Sequence, residues 1–481
     1  MLRACRRGLV GLCALSLLSG CVQGPDYVKP AVAVPGKYRF DQQNGARAEP
    51  SDEVWWKSFG DPQIDALVRE ALANNRDLRI AAARVDEFAA VLAGTRAQGR
   101  PQVGYGASAS RTRTSEEILP DFVDPVSSSF STILSASWEI DMWGRIRRET
   151  EAAQANLLAS EEGRRGITLT LISTVIIGYV TLLDLDEQLR VATATVGGRA
   201  KSVKLFETRL AGRWVSEFEM SQVRAEYEST VAQLPAIRQA IAVQENALSV
   251  LVGRNPGPIA RSAHLEALHS PVVPSDLPSE LLIRRPDILQ AEQQLIASNA
   301  LIGAARALYF PRISLTGLLG FASPSLGNLF SGPARTWSFT GDVAGPIYTG
   351  GGLTAAVDQA KARREQSLAN YELVIQNAFR DVEDSLADVQ NSAELRATVE
   401  RRVLTLRRGV ELANERYENG YSDYLEVLDT ERGLFSAELQ LASARGDYQR
   451  ALVNLYRALG GDWWSGLPNS PTGTQAGAKT Q

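Results

Sequence analysis

The clearest pattern in the chain is an alternation of apolar and polar side chains over residues 129–142. Positions of one parity are mostly apolar, and those of the other, except Ile133, are serine or acidic. The apolar parity comprises Phe130, Thr132, Leu134, Ala136, Trp138, Ile140 and Met142. A period of two is typical of a β-strand, and a weaker alternation after Pro101 predicts its partner. A first β-hairpin is therefore predicted at about 102–142.

A second hairpin with the same alternation is predicted at about 312–347. Its apolar positions are Ile313, Leu315, Leu319, Phe321, Trp337, Phe339, Val343 and Ile347. Such hairpins fit either a half-buried sheet in water or a membrane barrel with one face toward lipid. In a membrane four strands cannot close, because the smallest single-chain barrels have about eight strands and lipid does not tolerate open edges. Three copies of the chain would supply twelve strands.

Each hairpin is followed by a long helical pattern, a turn and a returning helix. Apolar residues of the second copy keep the 4-3 spacing of a coiled-coil seam at Val399, Val403, Leu406, Val410, Ala413 and Tyr417. Gly420 ends this helix, and the return begins near Tyr424. About 68 residues at a rise of ~1.5 Å give a rod of ~100 Å if the helix is continuous. Antiparallel helical hairpins are therefore predicted at about 145–253, with a turn around Gly212, and at about 351–460.

The hairpins recur because the chain is an internal duplication. Asp77 corresponds to Asp287, an offset of 210 residues that holds as far as Pro101 and Pro311. Further along the offset is 207, and it aligns Gly253 with Gly460. Internal repeats outrank local signals, so we predict one pseudo-symmetric body built from repeats at 65–253 and 279–460.

The N-terminus has the pattern of a secreted lipoprotein. A basic start and an uncharged run precede Leu18-Ser19-Gly20-Cys21. This resembles the bacterial lipobox, whose cysteine is acylated and becomes the first residue after residues 1–20 are removed. We therefore expect lipidation at Cys21. The next residue is Val22 and not the aspartate that retains such proteins at the inner membrane, so we expect the protein in the outer membrane. One lipidated residue is an incomplete anchor.

The remaining segments are connections. Residues 21–64 are predicted to form a lipidated N-terminal arm, residues 254–278 a proline-rich linker and residues 461–481 a polar, disordered tail. The run Ile167–Leu183 is uncharged and long enough to suggest a membrane helix. Its counterpart in the other repeat, Val374–Gln390, carries charged residues, so a packed helix is favoured.

Composition excludes several function classes. The net charge of −4 offers no basic face for nucleic acid. Both histidines, His264 and His269, lie in the linker, and the mature chain keeps no cysteine besides Cys21, so neither a metal cofactor nor thiol catalysis is expected. The run Gly350–Gly352 lacks the Lys-Ser/Thr of a phosphate loop. The sequence predicts a protein that is not an enzyme and holds no cofactor.

Two acids stand out beside the second turn. Glu426 and Asp429 are three positions apart and share one helix face. As surface charges they need no function. If several copies surround an axis, however, the acids form rings, and such rings select cations and govern passage.

Several segments together resemble the outer-membrane factor family, in its lipoprotein branch of the NodT or OprM kind, with TolC as a more distant relative. They are the lipobox, Trp55–Val68, Asp141–Ile146, Leu277–Gly320, Gly345–Gly350 and Arg416–Arg432. The resemblance covers Cys21 to about Gly460. It implies a mixed α/β membrane fold of the TolC type: a homotrimer with a twelve-stranded β-barrel in the outer membrane and a helical barrel in the periplasm.

The resemblance also implies a function. The trimer would be the passive outer duct of a tripartite efflux pump, joined through a periplasmic adaptor to an inner-membrane transporter of the RND or another type. Family members carry acids at the closed periplasmic end, which places a gate at Glu426 and Asp429. The implied adaptor contacts are the hairpin turns at Gly212, Arg213, Gly420 and Tyr421. A structural or adhesive lipoprotein with helical rods is the alternative function.

Overall fold

A computed structural model of the chain describes residues 22–40, 55–120, 122–262, 264–271 and 278–461. Cys21, the predicted leader and the predicted tail beyond residue 461 lie outside these residues. The helices and strands in chain order are α1 (Pro62–Asn74), α2 (Arg76–Gln98), β1 (Gln102–Arg113), β2 (Val126–Ile140), α3 (Arg145–Ala211), α4 (Glu217–Val231), α5 (Gln233–Leu251), α6 (Pro278–Arg284), α7 (Pro286–Ala307), β3 (Arg312–Ser323), β4 (Arg335–Ala344), α8 (Gly352–Glu418) and α9 (Tyr424–Ala458).

The order of elements repeats, as the duplication predicts. The long helices α3 and α8 each span 67 residues and begin 207 positions apart. The returning helices differ, since α9 is continuous whereas α4 and α5 meet near Ala232. Pro235 explains this difference, because a proline without an N–H is accommodated in the first turn of a helix and not in its interior.

Backbone geometry follows the same repeat. Left-handed residues occur in pairs 207 positions apart: Gly144 and Gly351 before the long helices, and Gly253 and Gly460 after the returning ones. The third pair is Arg213, with φ 59°, and Gly420, with φ 74°, at the two helical turns. The first turn therefore places its left-handed residue at Arg213, the residue after Gly212.

The four strands form one antiparallel sheet in the order β1-β2-β3-β4. Gln102 pairs with Ser137, Ile140 with Ile313, and Arg312 with Ala344. Both predicted hairpins are confirmed, and β2 and β3 join the two repeats side by side. The chain thus contributes a single sheet with β1 and β4 at its edges.

The chain divides into two compact units, and each draws on both repeats. One contains the described residues up to Val32 with Ala83–Glu161 and Gln290–Glu372, and the other contains the rest. The second unit has the largest apolar core, where Trp55, Phe59 and Tyr456 pack with the α3 residues from Leu169 to Leu183. This α3 segment is long and apolar enough to span a membrane, yet about two thirds of it is buried inside the protein. Its burial agrees with the packed helix expected from the duplication.

Equivalent hydrogen bonds close both repeats within this second unit. Asn75 Nδ2 donates to the Leu251 carbonyl over 2.8 Å, and Arg285 Nη1 donates to the Ala458 carbonyl over 2.9 Å. These donors are 210 positions apart and their acceptors 207. Each bond ties the start of one helix to the end of the returning helix of the same repeat.

Replacing Arg285 should destabilise the second closure more than replacing Asn75 destabilises the first. Arg285 is buried and also pairs with Asp287 and Asp381, at 2.7 and 3.1 Å. We expect Arg285→Ala to cost about 3–5 kcal/mol and Asn75→Ala about 1–2 kcal/mol in unfolding free energy. Denaturant unfolding in detergent measures both, with the more exposed Arg284→Ala as control. Equal losses of unfolding free energy in all three variants would contradict the closing role of Arg285 and Asn75.

Substitution of the left-handed residue should destabilise the second turn and stabilise the first. Gly420→Ala meets no neighbouring atom within 4 Å, so its expected cost of about 1 kcal/mol is purely conformational. Arg213→Gly removes that strain from the first turn and should stabilise it by up to about 1 kcal/mol. Hydrogen exchange of the Trp214 and Tyr421 amides, which close the turns, measures both. Shifts in the same direction would show that the turns are not equivalent.

Candidate functional site: an open sheet and two helical turns

The sheet carries large apolar side chains on one face and small polar ones on the other. Tyr105, Leu134, Leu315 and Phe339 belong to the apolar face and are between 43% and 92% exposed. The other face is lined mainly by glycine, serine and threonine, with Ile133 and Leu318 as apolar exceptions. On this face the hydroxyls of Ser108 and Ser131 lie 2.7 Å apart across β1 and β2. An exposed apolar face of this extent needs a partner that is not water.

The sheet also has two open edges. Strands β1 and β4, of 12 and 10 residues, each pair on one side only among the described residues. Every second N–H and C=O along these edges is therefore left for another partner. In lipid such groups are costly, so the edges require further strands.

The helical turns are built alike, and both belong to the second unit. The Trp214 amide donates to the Arg209 carbonyl and the Tyr421 amide to the Arg416 carbonyl, both over 2.8 Å. Gly212, Arg213, Gly420 and Tyr421 are all exposed, and Tyr421 is 78% exposed. The structure therefore places the four predicted contact residues at the accessible ends of the hairpins.

An aromatic cluster holds the two turns together. Phe206 is fully buried, and its ring centroid lies 4.3 Å from that of Tyr424. Tyr417 stacks on Phe206 and is tilted against Tyr424. Arg209 Nη1 donates to the Tyr417 hydroxyl over 2.7 Å, and its guanidinium lies over the Phe206 ring. Met220, Val223, Val427 and Leu428 complete the apolar contact. The two helical hairpins of one chain are thus packed against each other at their ends.

Glu426 and Asp429 are both exposed on α9 next to this cluster. Glu426 Oε1 lies 3.1 Å from Nε of Arg416, which neutralises its charge locally. Asp429 makes no ion pair with any described residue. Its carboxylate is therefore the uncompensated one of the two.

The first turn uses the equivalent glutamate differently. Glu219, 207 positions before Glu426, closes a capping box by accepting the Ser216 amide over 2.7 Å. In the second turn the cap is Asp423, whose carboxylate accepts the Glu426 amide, so the Glu426 side chain does not cap. The counterpart of Asp429 is the neutral Gln222. The acidic pair is therefore a property of the second turn alone.

Sequence reasoning missed two features near the turns. Trp214 and Phe218 are 83% and 70% exposed beside the first turn, and large apolar side chains immediately after a turn were the available signal. The second feature is a charge cluster around the buried Arg199, in which Glu226 binds Arg199 at 2.7 Å and the exposed Arg432 at 2.8 Å. No periodicity in the sequence points to this cluster, because its members come from three helices.

A carboxyl beside the charge cluster has a shifted pKa. Burial raises the pKa of Glu431; Arg199 opposes the rise and Glu226 adds to it. Arg199 is buried, and its Nε and Nη2 atoms find no acceptor in the described part of the chain. The cluster links α3, α4 and α9 by charge just beyond the aromatic contact.

The described residues offer no metal-binding constellation. No group of three or more histidine, cysteine or acidic side chains is arranged to hold an ion in that part of the chain. The chemistry of the site consists of exposed apolar surface, open strand edges and a few charges.

Comparisons with known proteins agree with this geometry. A family model described as "Outer membrane efflux protein" matches twice, at residues 67–254 and 277–461, in keeping with the duplication. The cation efflux system protein CusC of Escherichia coli O6:H1 is 36% identical over 458 residues, which cover 95% of this chain and 98% of that protein. The solvent efflux pump outer membrane protein SrpC of Pseudomonas putida is 35% identical, covering 94% and 97%.

Solved structures show the same fold. The outer-membrane channel OprN superposes with a TM-score of 0.85 at 30% identity, covering 92% of this chain and all of that one. The MtrE outer membrane channel of Neisseria gonorrhoeae, in its open state, gives 0.83 at 31% identity over 92% of this chain. The fold is therefore of the TolC type. The chain belongs to the outer membrane efflux protein family and is an outer-membrane efflux channel that extends into the periplasm.

Proposed function

We propose that three copies of this chain form the passive outer duct of a tripartite efflux pump. The observation that carries the proposal is the sheet with two open edges and one exposed apolar face. Three such sheets joined edge to edge give a closed wall of twelve strands, in which every edge group is paired and the apolar faces meet lipid. The faces lined by serine, threonine and glycine would then surround the lumen.

The duplication supports one particular strand register between neighbouring copies. Strand β3 follows β1 at an offset of 210 residues, and β4 follows β2 at an offset of 207. The observed pairing of Ile133 with Gly320 between β2 and β3 therefore translates into Thr340 of β4 against Ser110 of the next copy's β1. In this register both residues belong to the polar face.

Glu426 and Asp429 support a gate at the periplasmic end. Around a threefold axis they form two acidic rings, and acidic rings favour cations and control passage. Because Arg416 compensates Glu426, the ring of Asp429 carries the larger uncompensated charge. Opening would require the exposed Arg416–Glu426 pair to exchange partners, and such pairs are worth only about 0–1 kcal/mol.

The exposed turns support contact with a periplasmic adaptor. Gly212, Arg213, Gly420 and Tyr421 are accessible at the ends of the hairpins, and Trp214 adds an aromatic side chain beside them. Exposed aromatic residues are the usual anchors of protein interfaces. The adaptor would link the duct to an inner-membrane transporter, of the RND or another type, that supplies the energy.

The duct itself is expected to impose little choice of cargo. The relatives are named for cations, solvents and toluene although their sequences are similar to this one to nearly the same degree. Apart from the acidic rings, the barrel face lined mainly by small hydroxyl groups supports the passage of chemically unlike substances. Cargo would therefore be selected upstream, by the transporter.

Lipidation of Cys21 would add a second attachment to the outer membrane. The motif Leu18-Ser19-Gly20-Cys21 supports it, and a barrel shared among three chains supplies the other attachment. The mass of the N-terminal peptide of the mature protein measures the modification.

A disulfide test examines the trimer and its register. Thr340→Cys combined with Ser110→Cys should cross-link between copies under mild oxidation, because directly opposite residues have Cβ atoms about 4.5–5.5 Å apart. Denaturing gels should then show a covalently closed trimer. The matched control is Thr340→Cys with Ala109→Cys, whose side chains point to opposite faces. A protein that stays monomeric in detergent and forms no cross-link would overturn the proposal.

Conductance should separate the roles of the two acids. Asp429→Asn is expected to lower the cation preference of single channels in a planar bilayer, because it removes the uncompensated ring. Glu426→Gln should change open probability more than selectivity, because it releases Arg416. Glu394→Gln, an exposed acid in the middle of α8, is the control. If both acids can be neutralised without effect on reversal potential or gating, neither belongs to the gate.

A further inference from the structure

The described chain begins with an extended segment, Val22–Lys29, that lies on the first unit and is called the strap here. The Gln23 amide donates to the Trp143 carbonyl over 3.2 Å, at the turn between β2 and α3. Further along, the Tyr27 hydroxyl and the Lys29 ammonium bind the two oxygens of Glu292 on α7, over 3.2 and 2.8 Å. The strap is therefore fixed at both ends.

Arg148 of α3 is the centre of this contact. Its side chain is only 6% exposed, and its Nε donates to the Gln23 carbonyl over 3.0 Å. Nη2 binds the Gly24 carbonyl and Asp26, while Nη1 is held by Glu151 over 2.8 Å. Asn299 of α7 donates to the next carbonyl, that of Pro25, over 3.0 Å. Three successive carbonyls of the strap are thus bound by side chains of two helices.

Two glycine contacts seat the strap against the helices. A Cβ on Gly303 would lie 2.4 Å from the Gln23 carbonyl oxygen, and one on Gly24 would lie 2.4 Å from Gly303 Cα. Gly24 also has φ 93°, which other residues rarely adopt. Gly144, at the start of α3, is covered by Val22. The strap can therefore lie here in one register only.

The duplication provides an internal control for these residues. At the repeat offsets, Glu292 corresponds to Ala82, Asn299 to Ala89, Gly303 to Ala93 and Arg148 to Ala355. The groove draws on both repeats, since Arg148 belongs to the first and the other three residues to the second, and alanine stands at all four equivalent positions. Gly351, the counterpart of Gly144, has open space where Val22 would lie. The repeated fold does not need the polar groups or the glycine, so these side chains serve the strap.

We propose that Arg148, Asn299 and Gly303 form a receptor groove that positions the lipid anchor. The inference rests on the proposed lipidation, because Cys21 directly precedes Val22. With the strap seated, Val22, the residue after the predicted acylation site, lies against Gly144 at the turn between β2 and α3. Without the groove, residues 22–32 could extend by roughly 36 Å, and the lipid anchor would have no fixed distance from the turn between β2 and α3. Arg148 is accordingly a positioning residue, which acts through the strap.

A nitroxide label on Val28→Cys tests the groove in the full-length protein. Val28 is 78% exposed, Cys5 and Cys13 leave with the predicted leader, and acylation consumes the thiol of Cys21. Arg148→Ala should raise the ratio of mobile to immobile label about tenfold, the change expected when a charged hydrogen-bonded group is lost. Gly303→Ala should do the same, although alanine favours the helix and occupies the equivalent position of the other repeat.

Two controls separate the groove from general loosening. Gly94→Ala changes a helical glycine with open space around it, and Arg147→Ala removes a neighbouring charge that does not contact the strap. Both should leave the label immobile. Retention of an immobile label in Arg148→Ala and Gly303→Ala, or equal mobility in the controls, would overturn the proposal.

A further variant distinguishes this inference from the proposed lipidation. Cys21→Ser behind an ordinary secretory leader should keep the label immobile, because the groove holds the strap without the lipid. A mobile label in this variant would show that the lipid holds the strap, and the groove proposal would fail. If mass spectrometry finds no acyl chain on Cys21 while the groove variants, remade with Cys21→Ser so that only Val28→Cys is labelled, still release the label, the receptor stands and only the anchor is withdrawn.

Discussion

The structure depends on one constraint: main-chain hydrogen-bonding groups cannot be left unpaired in lipid. Four strands per chain leave β1 and β4 open, and the apolar face of the same sheet is exposed. In the proposed trimer, closure by identical copies would pair the strand edges and place the apolar faces in lipid at once, which a lone chain cannot do. The oligomer, the membrane location and the lumen of the proposed duct all follow from that closure.

The two repeats share one fold, and the residues at which they differ are the ones assigned a function. Corresponding left-handed residues and corresponding closing hydrogen bonds show that the repeats fold by the same rules. Glu219 caps its helix, whereas the equivalent Glu426 pairs with Arg416 beside the uncompensated Asp429. Likewise, the groove residues Arg148, Asn299 and Gly303, which come from both repeats, have alanine at their equivalent positions. At positions where the two repeats carry different residues, the shared fold does not explain the choice of residue.

The hairpin ends combine a strong contact with weak ones. The cluster around Phe206 and Tyr424 buries aromatic surface, which contributes more than exposed ion pairs do. The Arg416–Glu426 pair is half exposed and can be exchanged at little cost. In the proposed gate, the aromatic cluster would hold the hairpin ends together while the exposed ion pair could exchange partners on opening.

The sequence by itself determined the strands, the long helices, the duplication and the family, because periodicity and repeat offsets can be read along the chain without knowledge of its packing. It also located Glu426, Asp429 and the turn residues, since a glycine after a coiled-coil seam marks a helix end. Only the tertiary structure showed that Arg213 is the left-handed residue of the first turn, and that Arg199, Glu226 and Arg432 meet from three helices. The strap groove was equally hidden, because Gln23 and Arg148 are 125 positions apart and make contact only when α3 and α7 are packed. Contacts of this kind depend on chain packing, which no pattern along the sequence records.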